Sequence, residues 1–231
     1  MKKLYRIMYK ILKVFMVVCC IGINLLTIEA GENINTFSVV RIKYDGGGDW
    51  YGNKTTFINI FRKLTTETGI ASDIKEITAG ILDEEFFNFP VAYIAGHGNI
   101  KFSDDEAKKL RTYLTSGGFL FADDDYGMDI SFRREMKKVF PELNFVELPF
   151  NHPIYHSYYD FPNGLPKIHE HSGGPAQGLG LIYENKLVVF YSYNTDISDG
   201  CENEEIHNDQ PEKRESALRM GVNIMLFALL N

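Results

Sequence analysis

The chain has 231 residues, with 24 Lys+Arg against 31 Asp+Glu, a formal charge of -7 and a hydrophobic fraction of 45%. That is enough apolar material to bury a sizeable core and too much for a disordered chain. The acidic balance excludes a nucleic-acid groove, which needs clustered Lys and Arg to meet phosphates.

The first thirty residues read as a targeting segment. Lys2, Lys3, Arg6, Lys10 and Lys13 form a basic region ahead of an apolar run from Val14 to Ile28. A run of that length falls short of the roughly 20 residues that span a bilayer. It fits the apolar part of a secretory signal cleaved after Ala30, or else a retained N-terminal anchor. The expectation is an exported domain, periplasmic or anchored facing the periplasm, that meets the membrane only through this segment. Removing residues 1–30 takes away five basic residues and one acidic residue, so the balance becomes -11. Cys19 and Cys20 leave as well, and Cys201 remains as a single thiol with no intramolecular partner.

Residues 31–231 alternate strand and helix. Phe37–Tyr44 is β-rich and runs into Asp45, Gly46, Gly47, Gly48 and Asp49. A helix follows near Lys54–Glu67, closed by Gly69, and then a short strand near Ile74–Thr78. Val91–Ala95 is a buried strand ending at Gly96-His97-Gly98. Ser103 caps the next helix, with Glu106 completing a capping box, and Gly117-Gly118 ends it. Strand Phe119–Ala122 leads to Asp123-Asp124-Asp125, and a helix near Ile130–Val139 stops before Pro141. Phe145–Leu148 is another strand, Leu179–Glu184 and Lys186–Tyr191 form a hairpin about Asn185, and an apolar helix spans roughly Glu212–Leu230. Strands separated by helices predict right-handed crossovers and one α/β domain with a mostly parallel sheet. The stretch Asn151–Gln177 is long, irregular and holds four of the six histidines. Loops of that length are usually functional or disordered, and its aromatic content argues against disorder. Its tyrosines serve either as core anchors or as a stacking wall for a sugar ring.

In open α/β sheets, ligands bind beyond the carboxyl ends of the strands. Those ends carry Asp45 to Asp49, His97, then Asp123 and Asp124, then His152 and His156 with His169 and His171 further on, and finally Asp196 and Asp199. The glycines offer either backbone N–H groups to an anion or simply a tight turn. Gly52, Lys54 and Thr55 nearly spell a phosphate-binding loop, but Asn53 breaks the spacing, which excludes a nucleotide hydrolase. The histidines, with His97 and Asp123 or Asp124, suit Zn²⁺ or another borderline transition metal, or a His/Asp acid–base pair, or a hydrogen-bond network bracing the loop.

Arg41–Trp50, Gly96-His97-Gly98, Gly117–Asp124, His152-Pro153-Ile154 and Gly164–His171 together resemble a bacterial family catalogued as domain of unknown function 4159. The resemblance covers nearly all of the chain after residue 36. It implies a class I glutamine-amidotransferase-like domain, hence a flavodoxin-like three-layer sandwich. Amidotransferases of that class place a nucleophilic Cys at the turn after a central strand. The matching turn is Asp123-Asp124-Asp125, so glutaminase activity does not carry over.

The reading that results is an exported amidotransferase-like domain, read as a metal-assisted hydrolase of carbohydrate or envelope material. Asp123, Asp124 and His97 are its catalytic candidates. Asp45, Gly46, Gly47, Gly48, Asp49, His152 and His156 are its binding candidates, for a small molecule or glycan. His169, His171 and Asp124 are its metal ligands. The alternative is a non-catalytic binding or scaffold module.

Overall fold

A computed structural model describes residues 37–72, 76–170 and 172–230. The targeting segment, His171 and part of the strand expected at 74–78 lie outside the described residues. Strands β1 (Val39–Ile42), β2 (Ile77–Ala79), β3 (Val91–Gly96), β4 (Phe119–Asp124), β5 (Val146–Glu147), β6 (Gln177–Tyr183) and β7 (Lys186–Tyr193) form a seven-stranded sheet. Their spatial order is β2-β1-β3-β4-β7-β6-β5. The first five are mutually parallel, and the β6–β7 hairpin and β5 add antiparallel pairs at one side. This is the mostly parallel α/β sheet expected, and the run β2-β1-β3-β4-β7 is consistent with a flavodoxin-like winding.

Helices α1 (Thr56–Thr68), α2 (Asp104–Thr115), α3 (Asp129–Val139) and α6 (Pro211–Leu230) cover the sheet, with short helices α4 (Ile197–Gly200) and α5 (Glu204–His207) between β7 and α6. Side chains alternate across a strand, so each central strand feeds two cores. Val39, Val91, Tyr93, Phe119 and Phe121 pack with α1 and α6 on one face. Val40, Ala92, Ile94, Leu120 and Ala122 pack with α2 and α3 on the other. The winding reverses between β1 and β3, because β1 is flanked by β2 on one side and β3 on the other.

Local sequence explains where α2 starts. The Ser103 hydroxyl accepts from the Glu106 backbone N–H at 3.2 Å, and Glu106 Oε2 accepts from the Ser103 N–H at 2.7 Å. Ser103→Ala is expected to cost about 1 kcal/mol, read as a lower midpoint in urea with an unchanged slope.

Three features differ from the sequence reading. Strand β4 continues through Asp124, so Asp123 and Asp124 are sheet residues whose parallel neighbours in β3 are Ala95 and Gly96. The strand expected at Phe145–Leu148 shortens to two residues. The turns of α4 and α5 are a further addition; they arise where Asn194, Asp196 and Asn208 adopt positive φ.

The histidine loop is ordered by burial and by one amide. Tyr155 is buried, and Asn223 of α6 accepts from the N–H groups of Tyr158 and Tyr159 at 3.0 and 2.8 Å while donating to the Tyr159 carbonyl. Tyr158 donates to the Glu67 carbonyl at the end of α1. These aromatics therefore anchor the loop against two helices.

Candidate functional site

The loops after β1 and β3 close against each other. Gly48 N–H donates to the Asn99 carbonyl at 3.0 Å, Asp49 N–H to the His97 carbonyl at 3.3 Å, and Lys101 N–H to the Asp45 carbonyl at 2.7 Å. A Cβ on Gly48 would meet the Tyr44 hydroxyl at 2.8 Å and the His97 carbonyl at 2.9 Å. Glycine is thus needed for close loop-to-loop approach, and the Gly48 N–H already has its acceptor. Gly46 also enters this closure, its carbonyl accepting from the Asn99 side chain at 3.1 Å, while Gly47 forms the outward bend at φ 92°. At the same crevice Asp49 accepts from the His97 backbone N–H, and its second oxygen lies 3.0 Å from His97 Nδ1. Asp49 and His97 form an exposed pair at the point where the winding reverses.

The three aspartates at the end of β4 have three different environments. Asp123 is fully buried and accepts from the Ser192 hydroxyl, from Ser198 Oγ at 2.5 Å and N–H at 2.6 Å, and from Ile197 N–H at 3.3 Å. Burial pushes its carboxyl up to about 7 against the pull of these donors. Asp124 Oδ1 accepts from the N–H groups of Tyr126 and Met128 at 3.4 and 3.3 Å, ahead of α3. Asp125 is buried and accepts from the Asn53 amide at 3.0 Å.

His169 meets a set of carboxylates beyond β7. The Thr195 carbonyl accepts from the backbone N–H groups of both Ile168 and His169, which pins this part of the loop to the carboxyl end of β7. His169 Nδ1 lies 3.2 Å from Asp196 and 3.6 Å from Asp199, and Nε2 lies 3.0 Å from Asp209. His207 Nε2 lies 3.0 Å from Glu202 and 3.8 Å from Asp199, and the two imidazole rings are 5.3 Å apart. One ligand atom each from His169, Asp199 and His207 fall within 4.8 Å of one another, close enough to share an ion. Asp196 first, then Asp199, raise the His169 imidazole to about 10. The close packing beneath the cluster depends on Gly200, where a Cβ would come within 2.7 Å of Ala217 and Ile168. A cleft of about 380 Å³ opens beside Asp196, lined also by Asp124, Tyr126, Asp129, Tyr193 and Asn194.

The expected site residues therefore separate. His169 joins Asp196 and Asp199 at β7, and Asp124 borders the adjoining cleft. His97 and Asp49 occupy the β1/β3 crevice, two strands from β7 in the sheet order. His152 lies toward the opposite, amino end of the parallel strands, and His156 follows it one short turn later. His152 packs on Phe227, which in turn packs on Phe119, the first residue of β4. His156 pairs with Asp160 and with the Phe150 carbonyl. The loop runs from the carboxyl end of the strands to the amino end and back, so spacing in sequence did not translate into proximity. The sequence reading missed His207, together with Glu202 and Asp209. The available signal was a histidine inside the acidic stretch from Glu202 to Asp209.

An α/β domain with helices on both faces and a histidine–carboxylate cluster at a strand end is the class that this geometry defines. The chain belongs to the family described as a domain of unknown function (DUF4159), which matches residues 38–229. No curated protein matches the sequence. No helix among the described residues is long and apolar enough to cross a membrane.

Proposed function

We propose that this domain is a metal-assisted hydrolase whose ion is held by His169, Asp199 and His207. The observation that carries the reading is the approach of those three ligand atoms to within 4.8 Å. Two imidazoles and a carboxylate suit Zn²⁺ or a similar borderline metal, and three protein ligands leave a position for water, the pattern of catalytic rather than structural zinc. When bound, such an ion supplies an activated water at neutral pH. Asp209, on the His169 ring nitrogen away from Asp199, would orient that imidazole as outer-shell carboxylates do for metal-binding histidines.

The lining of the cleft supports a reading of the substrate class. Asp124, Asp129 and Asp196 line it with Tyr126, Tyr193, Ser172 and Asn194, and no Lys or Arg among the described residues does. That lining repels anions and suits a neutral polyhydroxylated substrate such as a carbohydrate. The basic and apolar N-terminal segment supports an exported setting. The strand order supports a class I amidotransferase-like ancestry, without glutaminase chemistry: Cys201 is fully buried, and burial pushes its thiol well up.

Chelator-stripped protein is expected to take up one Zn²⁺ per chain at the histidine site, with His169→Ala and His207→Ala each abolishing stoichiometric uptake. The zinc-loaded protein is then expected to cleave a member of a chromogenic glycoside and sugar-ester panel. A second reading has a specific observation behind it, since His169 already has carboxylates at both ring nitrogens. A protonated His169 would brace the loop with no metal, as part of a binding module. Zinc uptake that is absent from wild type, with ligand-induced rises in melting temperature intact, would favour that reading and sink the first.

A further inference from the structure

Three carboxylates line the cleft beside β4 and β7, and two of them have a cation of their own. Asp129 Oδ1 accepts from the Arg133 guanidinium at 2.6 Å and from the Tyr191 hydroxyl at 3.1 Å. Asp196 has the His169 imidazole at 3.2 Å. Asp124 has no ion pair among the described residues, and its Oδ1 accepts only from the backbone N–H groups of Tyr126 and Met128. Its Oδ2 takes no hydrogen bond among the described residues, although the residue is only 5% exposed and lines the cleft. A carboxylate so nearly buried, with no counter-charge and an open oxygen, is unfavourable unless something in the cleft completes it.

The walls of the cleft select what completes it. Tyr126 and Tyr193 line it together with Asp124. Tyr126 is 57% exposed and held at φ 107°, an outlier for a bulky side chain and a kind of strain that clusters at ligand sites. Aromatic faces attract organic ammonium groups, and a carboxylate beside them fixes the ammonium through charge-assisted hydrogen bonds. A hard metal ion needs about six oxygen ligands, and the cleft offers it a single carboxylate that is not already paired. At about 380 Å³ the cleft is at the small end of ligand pockets, with room for a ring-sized group. We infer that it binds an amino sugar whose amine is free, with the ammonium on Asp124 and the ring against Tyr126 and Tyr193. The sugar ring rests on the preceding reading of the cleft, whereas the ammonium rests on Asp124 and needs neither metal nor turnover.

The test uses the full chain, stripped with chelator and titrated in a calorimeter with glucosamine, N-acetylglucosamine and glucose at neutral pH, where most glucosamine carries its ammonium. Glucosamine is expected to bind about tenfold more tightly than either neutral sugar, the scale of one charge-assisted hydrogen bond. Asp124→Asn, whose fold is checked by circular dichroism, is expected to lose that preference, and Tyr126→Ala to weaken glucosamine binding. Either variant binding as wild type does overturns the seating. Wild-type protein that binds none of the three overturns the inference whether or not any variant folds. Equal binding of all three overturns the ammonium and leaves a neutral carbohydrate site and the hydrolase reading in place. A preference for glucosamine in protein that takes up no zinc sinks the hydrolase and leaves this inference standing, so the two failures give different results.

Discussion

Asp123→Ala is expected to destabilise the domain by about 3–5 kcal/mol, seen as a large fall in the urea midpoint. Four donors converge on this carboxylate: two hydroxyls, from Ser192 and Ser198, and two backbone N–H groups, from Ile197 and Ser198. Alanine leaves the two N–H groups and the Ser198 hydroxyl without this acceptor in a fully buried position, while Ser192 can still donate to the Ala122 carbonyl, and each stranded group carries a desolvation cost. The same residue predicts a pH effect. Its folded-state carboxyl sits at about 7, above an ordinary value of 3.8, so the folded state holds the proton more tightly. That contribution to stability is complete below 3.8 and is lost as pH rises through 7. Asp123→Asn, which keeps the shape and cannot ionise, is expected to flatten the dependence across that window and to be milder than alanine. Identical midpoints for alanine and wild type would remove Asp123 from the support of the fold.

Arg41→Met is expected to cost a similar amount, about 3–5 kcal/mol, for the complementary reason. The guanidinium is 3% exposed and forks between the Glu76 carboxylate, the Trp50 carbonyl at 2.9 Å and the Asn53 carbonyl at 3.0 Å, over the Tyr93 ring. Methionine fills the stem's space but abandons a largely buried carboxylate and two carbonyls, and breaking such a pair costs more than replacing it whole. Arg41→Met combined with Glu76→Leu is therefore expected to recover part of the loss in a double-mutant cycle. Arg41→Lys is expected to rescue little, because an ammonium cannot reproduce a planar fork. The effect should reach Asp125 through Asn53, whose carbonyl accepts from Arg41 and whose amide donates to Asp125.

Much of the fold was legible because it is written in local chemistry. The capping box at Ser103 and Glu106 fixed the start of α2 to the residue. The apolar run at Val91 was long enough only for a strand, and Gly96 and Gly98 marked its end. The site was legible only where it follows from strand ends: Asp196 and Asp199 sit beyond β7, as read. His207 was hidden because its approach to His169 depends on consecutive turns through Asn194, Asp196 and Asn208 at positive φ, which no periodic pattern announces. His152 and His156 were placed wrongly for a related reason. An irregular loop has no repeat from which a direction can be read, and this one is steered by Asn223, an amide on a helix far along the chain.

The pairing of β4 with β7 has a consequence for assembly. Leu120 lies beside Val189, and the chain between them makes β5, β6 and the whole histidine loop. The sheet is therefore two half-sheets, each built from nearer neighbours in sequence, joined along a single seam. Long-range pairings of this kind form late, since loop closure must come before they gain anything. Asp123 on one side of the seam meets Ser192, Ile197 and Ser198 on the other, so the step that welds the halves also assembles the carboxylate cluster. Chemistry and cohesion share one fault line: whatever stitches the cluster together also resists the unzipping of the protein at its centre.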